Sequence, residues 1–125
     1  MHPTLAKYRI EFTVQAIYDG KRVACMVCMH SELLNYHLSY YFLNQPMDFL
    51  TDDVLTDLEK AMAGEPFDSD AGGTLSFLTI GAEQSIFSGT DEARADIAIP
   101  TADVKDIVSE WTQWVIGNQL QEYVL

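Results

Sequence analysis

From Tyr8 onward the chain alternates: Tyr8, Ile10, Phe12, Val14, Ala16 and Tyr18 are interleaved with Arg9, Glu11, Thr13 and Gln15. A period of two predicts a strand with one wet face. Asp19-Gly20 follows at once, a dipeptide that tolerates the positive φ of a two-residue type I′ hairpin turn. The return segment, Arg22 to Met29, is apolar on both faces and predicts a central strand.

Residues 31–44 fit two periods. Leu34, Tyr36, Leu38, Tyr40 and Phe42 suit a strand, whereas Leu33, Tyr36, Tyr40 and Leu43 suit a helix. Ser31 as an N-cap and Pro46 just beyond the end favour the helix. Further on, Thr51 can cap a helix that puts Val54, Leu55, Leu58, Ala61 and Met62 on one face, with Gly64 ending it. Asp68 to Gly73 reads as a polar, glycine-rich loop.

Three short strands are then expected, Thr74 to Ile80, Gln84 to Phe87 and Ala93 to Ile99, separated by Gly81-Ala82 and by Ser88 to Asp91. Pro100-Thr101 leads into a final helix, Ala102 to Ile116, whose stripe is Val104, Ile107, Val108, Trp111 and Val115, and Gly117-Asn118 stops it. The order β-β-α-α-β-β-β-α predicts one α+β domain over residues 1–125. It should have a mainly antiparallel sheet of about five strands and two or three helices packed on one face.

Composition agrees with a folded core. The chain has 125 residues, of which 48% are hydrophobic and 11% aromatic. Size scaling gives roughly 6,700 Å² of folded surface, with about two-thirds of the unfolded surface buried. Disorder, a collagen-like repeat and a disulfide-stapled miniprotein are excluded on these grounds. The longest apolar run, Val23 to Met29, is far short of the roughly 20 residues needed to cross a bilayer. Met1 to Phe12 lacks the apolar region of a signal peptide. With only two cysteines, a reducing cytoplasm is the expected compartment.

Charge changes the picture most. Nineteen acids against seven bases leave a net charge of −12, which argues against nucleic acid or an anionic membrane as a direct partner. The first 22 residues carry four bases (Lys7, Arg9, Lys21, Arg22) and two acids; the acids are concentrated further on. Asp48, Asp52, Asp53, Asp57, Glu59, Glu65, Asp68 and Asp70 face only Lys60 within residues 48–70. That density exceeds what an even spread over the surface would give. Asp52 and Asp53 also suit a helix N-terminal turn, and acids keep surfaces soluble. The sharper reading is a landing site for a basic protein.

Catalytic chemistry finds little support. There is no G-x-S-x-G, no phosphate loop, no H-E-x-x-H and no G-x-G-x-x-G. Cys25-Met26-Val27-Cys28 is a C-x-x-C, but it falls within the predicted return strand. There, residues three apart point to opposite faces with Cα atoms about 10 Å apart, and a disulfide needs under about 7 Å. Two buried structural thiols are expected. A zinc site from Cys25, Cys28, His30 and His37 would require that strand to break. Asp68-x-Asp70 with Gly73 mimics the start of a calcium loop, yet Gly72 and Thr79 stand where two ligands should be. No metal or cofactor is expected. Trp114, at the edge of the last helix's stripe, and Tyr41, in the Tyr36-Tyr40-Tyr41 cluster, serve either boundary packing or an interface.

The acidic 125-residue layout, the opening hairpin around Asp19-Gly20 and the run Ile97-Ala98-Ile99-Pro100-Thr101-Ala102-Asp103-Val104 leading to Trp111 together resemble a known group. It comprises the small acidic immunity proteins of polymorphic toxins, including those of contact-dependent growth inhibition systems. The resemblance implies a cytoplasmic, non-catalytic inhibitor that binds one cognate toxin domain, often a basic RNase or DNase. Asp48, Asp52, Asp53, Asp57, Glu59, Asp68 and Asp70 would form its contact surface, with Trp114 or Tyr41 as an anchor. A monomer is the expected state, and a small ligand-binding domain or enzyme is the alternative.

Overall fold

In the computed structural model, which describes residues 2–43, 45–90 and 94–123, six strands form two antiparallel sheets instead of the single sheet expected. β1 (Ile10–Ala16) and β2 (Arg22–Cys28) make a hairpin. β3 (Asp70–Gly73), β4 (Ser76–Thr79), β5 (Gln84–Gly89) and β6 (Ile97–Pro100) make a four-stranded meander. The described α-helices are α1 (Pro3–Tyr8), α2 (Glu32–Leu43), α3 (Leu55–Ala63) and α4 (Thr101–Gly117). The class is α+β, as the element order predicted.

The hairpin differs in detail. Tyr8 belongs to α1, which the alternating pattern concealed. Pro3 fits its first turn, the His2 ring accepts the Thr4 amide at 3.1 Å, and Arg9, left-handed at φ 54°, ends it. The loop holds three residues, Tyr18 to Gly20, because the Ile17 amide already bonds the Lys21 carbonyl at 2.6 Å. Asp19 and Gly20 both have positive φ, so the dipeptide supplies the expected backbone in a different turn.

α2 is a helix, capped by the Ser31 hydroxyl, which accepts the Leu34 amide at 3.0 Å. It packs on both sheets, so the helices do not share one face as expected. Toward the hairpin, Asn35 accepts the Cys28 amide at 2.8 Å and Ser39 donates to the Met26 carbonyl at 2.8 Å. On the opposite side, the His37 ring lies 2.9 Å from the Ser76 hydroxyl and Tyr41 donates to the Ala71 carbonyl at 2.7 Å.

Thr51 does not cap the next helix; it lies inside one that starts near Pro46. Its hydroxyl bonds the Met47 carbonyl at 3.0 Å. That carbonyl is the one an α-helix would offer to the residue 51 amide. The turns Phe49–Val54 are accordingly π-helical, with the Leu55 amide on the Leu50 carbonyl. Leu50, Val54, Leu58 and Ala61 face the core, whereas Met62, expected inward, is exposed. Gly64 ends α3 in the left-handed region, as expected.

The loop expected over 68–73 supplies β3, and the strand expected from Thr74 starts only at Ser76. Gly73 explains the reversal: at φ 135° a Cβ there would sit 2.0 Å from the Ser76 carbonyl oxygen. Ala93, the expected start of the last strand, lies outside the described residues. β6 begins at Ile97, and α4 follows within a residue of its expected limits.

A relay of aromatic rings joins the layers. Phe87 on β5 meets Tyr41 at 5.6 Å, Tyr41 meets Phe42 at 5.0 Å, Phe42 meets Trp111 at 5.9 Å, and Trp111 meets Phe12 on β1 at 5.2 Å. Such pairs contribute about 0.5–1.5 kcal/mol each beyond their burial. The accessible surface, 6824 Å², is what a well-packed chain of this mass presents.

Gly73→Ala should destabilise the protein by about 2–4 kcal/mol, since both the strained φ and the carbonyl clash oppose any side chain. Gly117, in helix α4 with open space around it, should accept alanine with a gain of up to about 1 kcal/mol. Thermal unfolding followed by circular dichroism measures both. Equal effects from the two substitutions would contradict this account of the β3–β4 turn.

Candidate functional site

The acidic segment occupies the π-helical turns, α3 and the approach to β3. Asp48, Asp52, Asp53, Glu59, Asp68 and Asp70 are exposed, and Asp57 is half-buried. Several of these carboxylates serve the local backbone. Asp48 accepts the Phe49 amide at 2.9 Å, Asp57 the Asp68 amide at 3.2 Å, Asp68 the Asp70 amide at 3.0 Å, and Asp70 the Gly72 amide at 2.9 Å. Asp68 and Asp70 make two successive Asx-type turns over residues 68–72, and Asp57 ties the start of that run to α3. Asp53 and Glu59 have no such bond among the described residues, and Asp52 meets only the Thr51 hydroxyl at 3.3 Å.

Among the described residues no acid of this segment is in an ion pair. The pairs present are Lys7 with Asp103 at 2.9 Å and His2 with Glu110 at 3.8 Å, both between α1 and α4. Lys105 lines the same shallow depression as Glu59 without pairing with it. Lys60 lies in the segment and Lys105 near it, but among the described residues neither forms an ion pair with its carboxylates.

The two aromatic candidates do not join that surface. Tyr41 is 0% exposed, with its hydroxyl spent on Ala71, so it cannot anchor a partner. Burial, with Asp70 nearby, pushes its phenol well above the ordinary range. Trp114 is half-buried against Phe12 at 5.4 Å and Trp111 at 5.6 Å, and with Leu5 and His2 it lines a recess beside β1.

A second feature was not legible in the sequence. Between α2 and the hairpin's outer face runs a cleft of about 500 Å³, lined among others by Cys25, Val27, Glu32, Tyr36, Tyr40 and Arg94. The Arg94 guanidinium lies 4.5 Å from the centre of the Tyr36 ring, a cation–π contact that orients it. Cys25 is half-buried rather than buried as expected, because residues three apart on β2 face opposite ways. Cys28 points into the core, with its thiol on the Tyr8 carbonyl at 3.1 Å. Burial raises the pKa of both thiols, which disfavours their thiolate forms. His37 is 0% exposed and has both ring nitrogens engaged, by Ser76 and by the Ala95 carbonyl at 2.9 Å.

The Asp103 carboxylate collects Tyr8 at 2.5 Å and Lys7 at 2.9 Å, and Asp106 accepts the Thr4 hydroxyl at 2.7 Å, which holds α1 on α4. Burial works against the charge on Asp103, but the bonds from Tyr8 and Lys7 outweigh it and hold the carboxyl below its usual value. Burial and the bond to Asp103 push the Tyr8 phenol up to about 12.

Comparison with protein-family models, with curated proteins and with solved structures returned no match. Among the described residues no helix is long and apolar enough to cross a membrane.

Two measurements check the electrostatics. A lowered carboxyl stabilises the fold above its unfolded value, and that stability is lost as pH falls through the folded value. A raised phenol does the reverse, losing its contribution between about pH 10 and 12. Asp103→Asn should cost on the order of 1 kcal/mol near neutrality and flatten the acid limb of a stability-against-pH curve; an unchanged limb would refute the role given to Asp103. Alkylation at neutral pH, read by mass spectrometry, should label Cys25 slowly and Cys28 only after unfolding. Faster labelling of Cys28 would reverse the assignment of faces.

Proposed function

We propose that the chain is a non-catalytic, cytoplasmic binding protein of the immunity type. It neutralises a basic toxin domain, of the RNase or DNase kind, by covering the surface where that domain would hold a polyanion. The observation that carries this reading is the acidic surface over residues 48–70, whose carboxylates form no ion pair among the described residues. Opposite fields raise association rates and fix orientation. Where no ion pair within the chain must first be broken, an incoming lysine or arginine meets a carboxylate already free.

The acids divide by role under this reading. Asp52, Asp53 and Glu59 are the outward contacts, while Asp48, Asp57, Asp68 and Asp70 also hold the turns that present them. In the cleft, which the enzyme alternative would use, burial disfavours the thiolate of Cys25.

The test pairs the purified chain with the toxin domain encoded by the neighbouring reading frame. A one-to-one complex that abolishes the toxin's activity is expected. Asp52→Lys combined with Asp53→Lys should slow association about tenfold at low salt, with the difference closing as salt screens the field. The melting temperature should stay nearly unchanged, since neither side chain caps a backbone amide. Unchanged association at low salt would show that the acidic segment is only a solvated surface.

A further inference from the structure

The cleft between α2 and the hairpin has the make-up of a small-molecule site. Its volume, about 500 Å³, falls in the range of ligand pockets, which set a few placed polar groups in an apolar and aromatic wall. Here β2 contributes Cys25 and Val27, and α2 contributes the Tyr36 and Tyr40 rings, 4.9 Å apart and tilted by 55°. Two tilted rings suit a flat aromatic body, which packs on one by its face and on the other by its edge.

The polar groups of the cleft have hydrogen bonds to give. The Arg94 guanidinium is held 4.5 Å from the centre of the Tyr36 ring and meets no carboxylate in an ion pair among the described residues. Gly89 leaves room for this approach, since a Cβ there would lie 3.5 Å from Tyr36 Cε1 and 3.6 Å from Arg94 Cβ. An arginine set over a ring keeps its fork of N–H groups for a planar, bidentate acceptor. Asn35 adds a second donor. The Cys28 amide can only donate, so Asn35 turns Oδ1 to it at 2.8 Å, and its Nδ2 meets no acceptor among the described residues.

Charge limits the acceptor to one. Glu32, in the first turn of α2, lines the same cleft, and the chain carries a net charge of −12. A ligand with several negative charges, such as a nucleotide, is repelled by both. A single carboxylate can be matched by the single guanidinium.

We propose that this cleft binds a small aromatic monocarboxylate, with its carboxylate on the Arg94 guanidinium and its ring against Tyr36 and Tyr40. None of the described lining residues belongs to segment 48–70, so the site is independent of the toxin-binding reading and would survive its failure.

Titration of the full chain with 3-phenylpropionate, followed by amide chemical shifts in NMR, tests the proposal, with 3-phenylpropionamide as the neutral isostere. One-to-one saturation by the acid is expected, with a dissociation constant of about 1 mM or lower and about tenfold tighter than for the amide. Arg94 is exposed, so Arg94→Gln should leave the circular dichroism spectrum unchanged while bringing the acid down to the amide's affinity. Glu32→Gln removes the acid of the cleft and should tighten binding of 3-phenylpropionate. Bound 3-phenylpropionate should also slow alkylation of Cys25, which places it in this cleft. Absence of saturable binding, equal affinity for acid and amide, or an affinity that Arg94→Gln leaves unchanged would each overturn the proposal. So would unslowed labelling of Cys25 at saturation.

Discussion

The structure depends on a helix that is buried on two sides. α2 stands between the hairpin and the meander, and its backbone needs nothing from either, because a helix satisfies its own amides. Its side chains must then match the polar groups of both sheets. Asn35 and Ser39 lie four residues apart on one side and bond β2; His37 and Tyr41 repeat that spacing on the other and bond the meander. The Ala95 carbonyl can only accept, so His37 donates from Nε2 and the Ser76 hydroxyl serves Nδ1. A helix flanked in this way prevents the two sheets from merging into one.

The same fact explains what the sequence concealed. Where one face is wet, as in β1 and α4, the period stands out, and these elements fall close to where it puts them. α2 has apolar residues on both sides and so fits a strand and a helix almost equally; the Ser31 cap decides the matter. α1 is too short for a period, and β3 is made of Asp-Ala-Gly-Gly, which reads as a loop. Division into two sheets is a matter of pairing between distant segments, and hydrophobic period carries no such information. Tyr41 shows the limit for sites, since a tyrosine at a core edge and one at an interface have the same local sequence. The cleft was invisible because Arg94 and Cys25 meet only through the fold.

The acidic segment has two separable causes. Asp48, Asp57, Asp68 and Asp70 would be useful to the chain with no partner at all, because each accepts a backbone amide. Part of the acidity is therefore structural. Asp52, Asp53 and Glu59 have no comparable duty and add repulsion to a chain already strongly negative. Asp52 and Asp53 also lie near the start of the helical turns that lead into α3, where the helix dipole favours negative charge, so only part of their acidity is without a structural use.

The hairpin and the acidic segment stand apart in the fold. α4 meets α1, the hairpin's neighbour, through Asp103, Asp106 and Glu110, and it meets α3 through the side that carries Lys105. Residues 103 and 105 are about 200° apart around a helix, so the β1 edge and the acidic helix flank α4 on different sides. The charge of the chain is thus divided between faces: four bases and two acids lie in residues 1–22, and eight acids against Lys60 in residues 48–70.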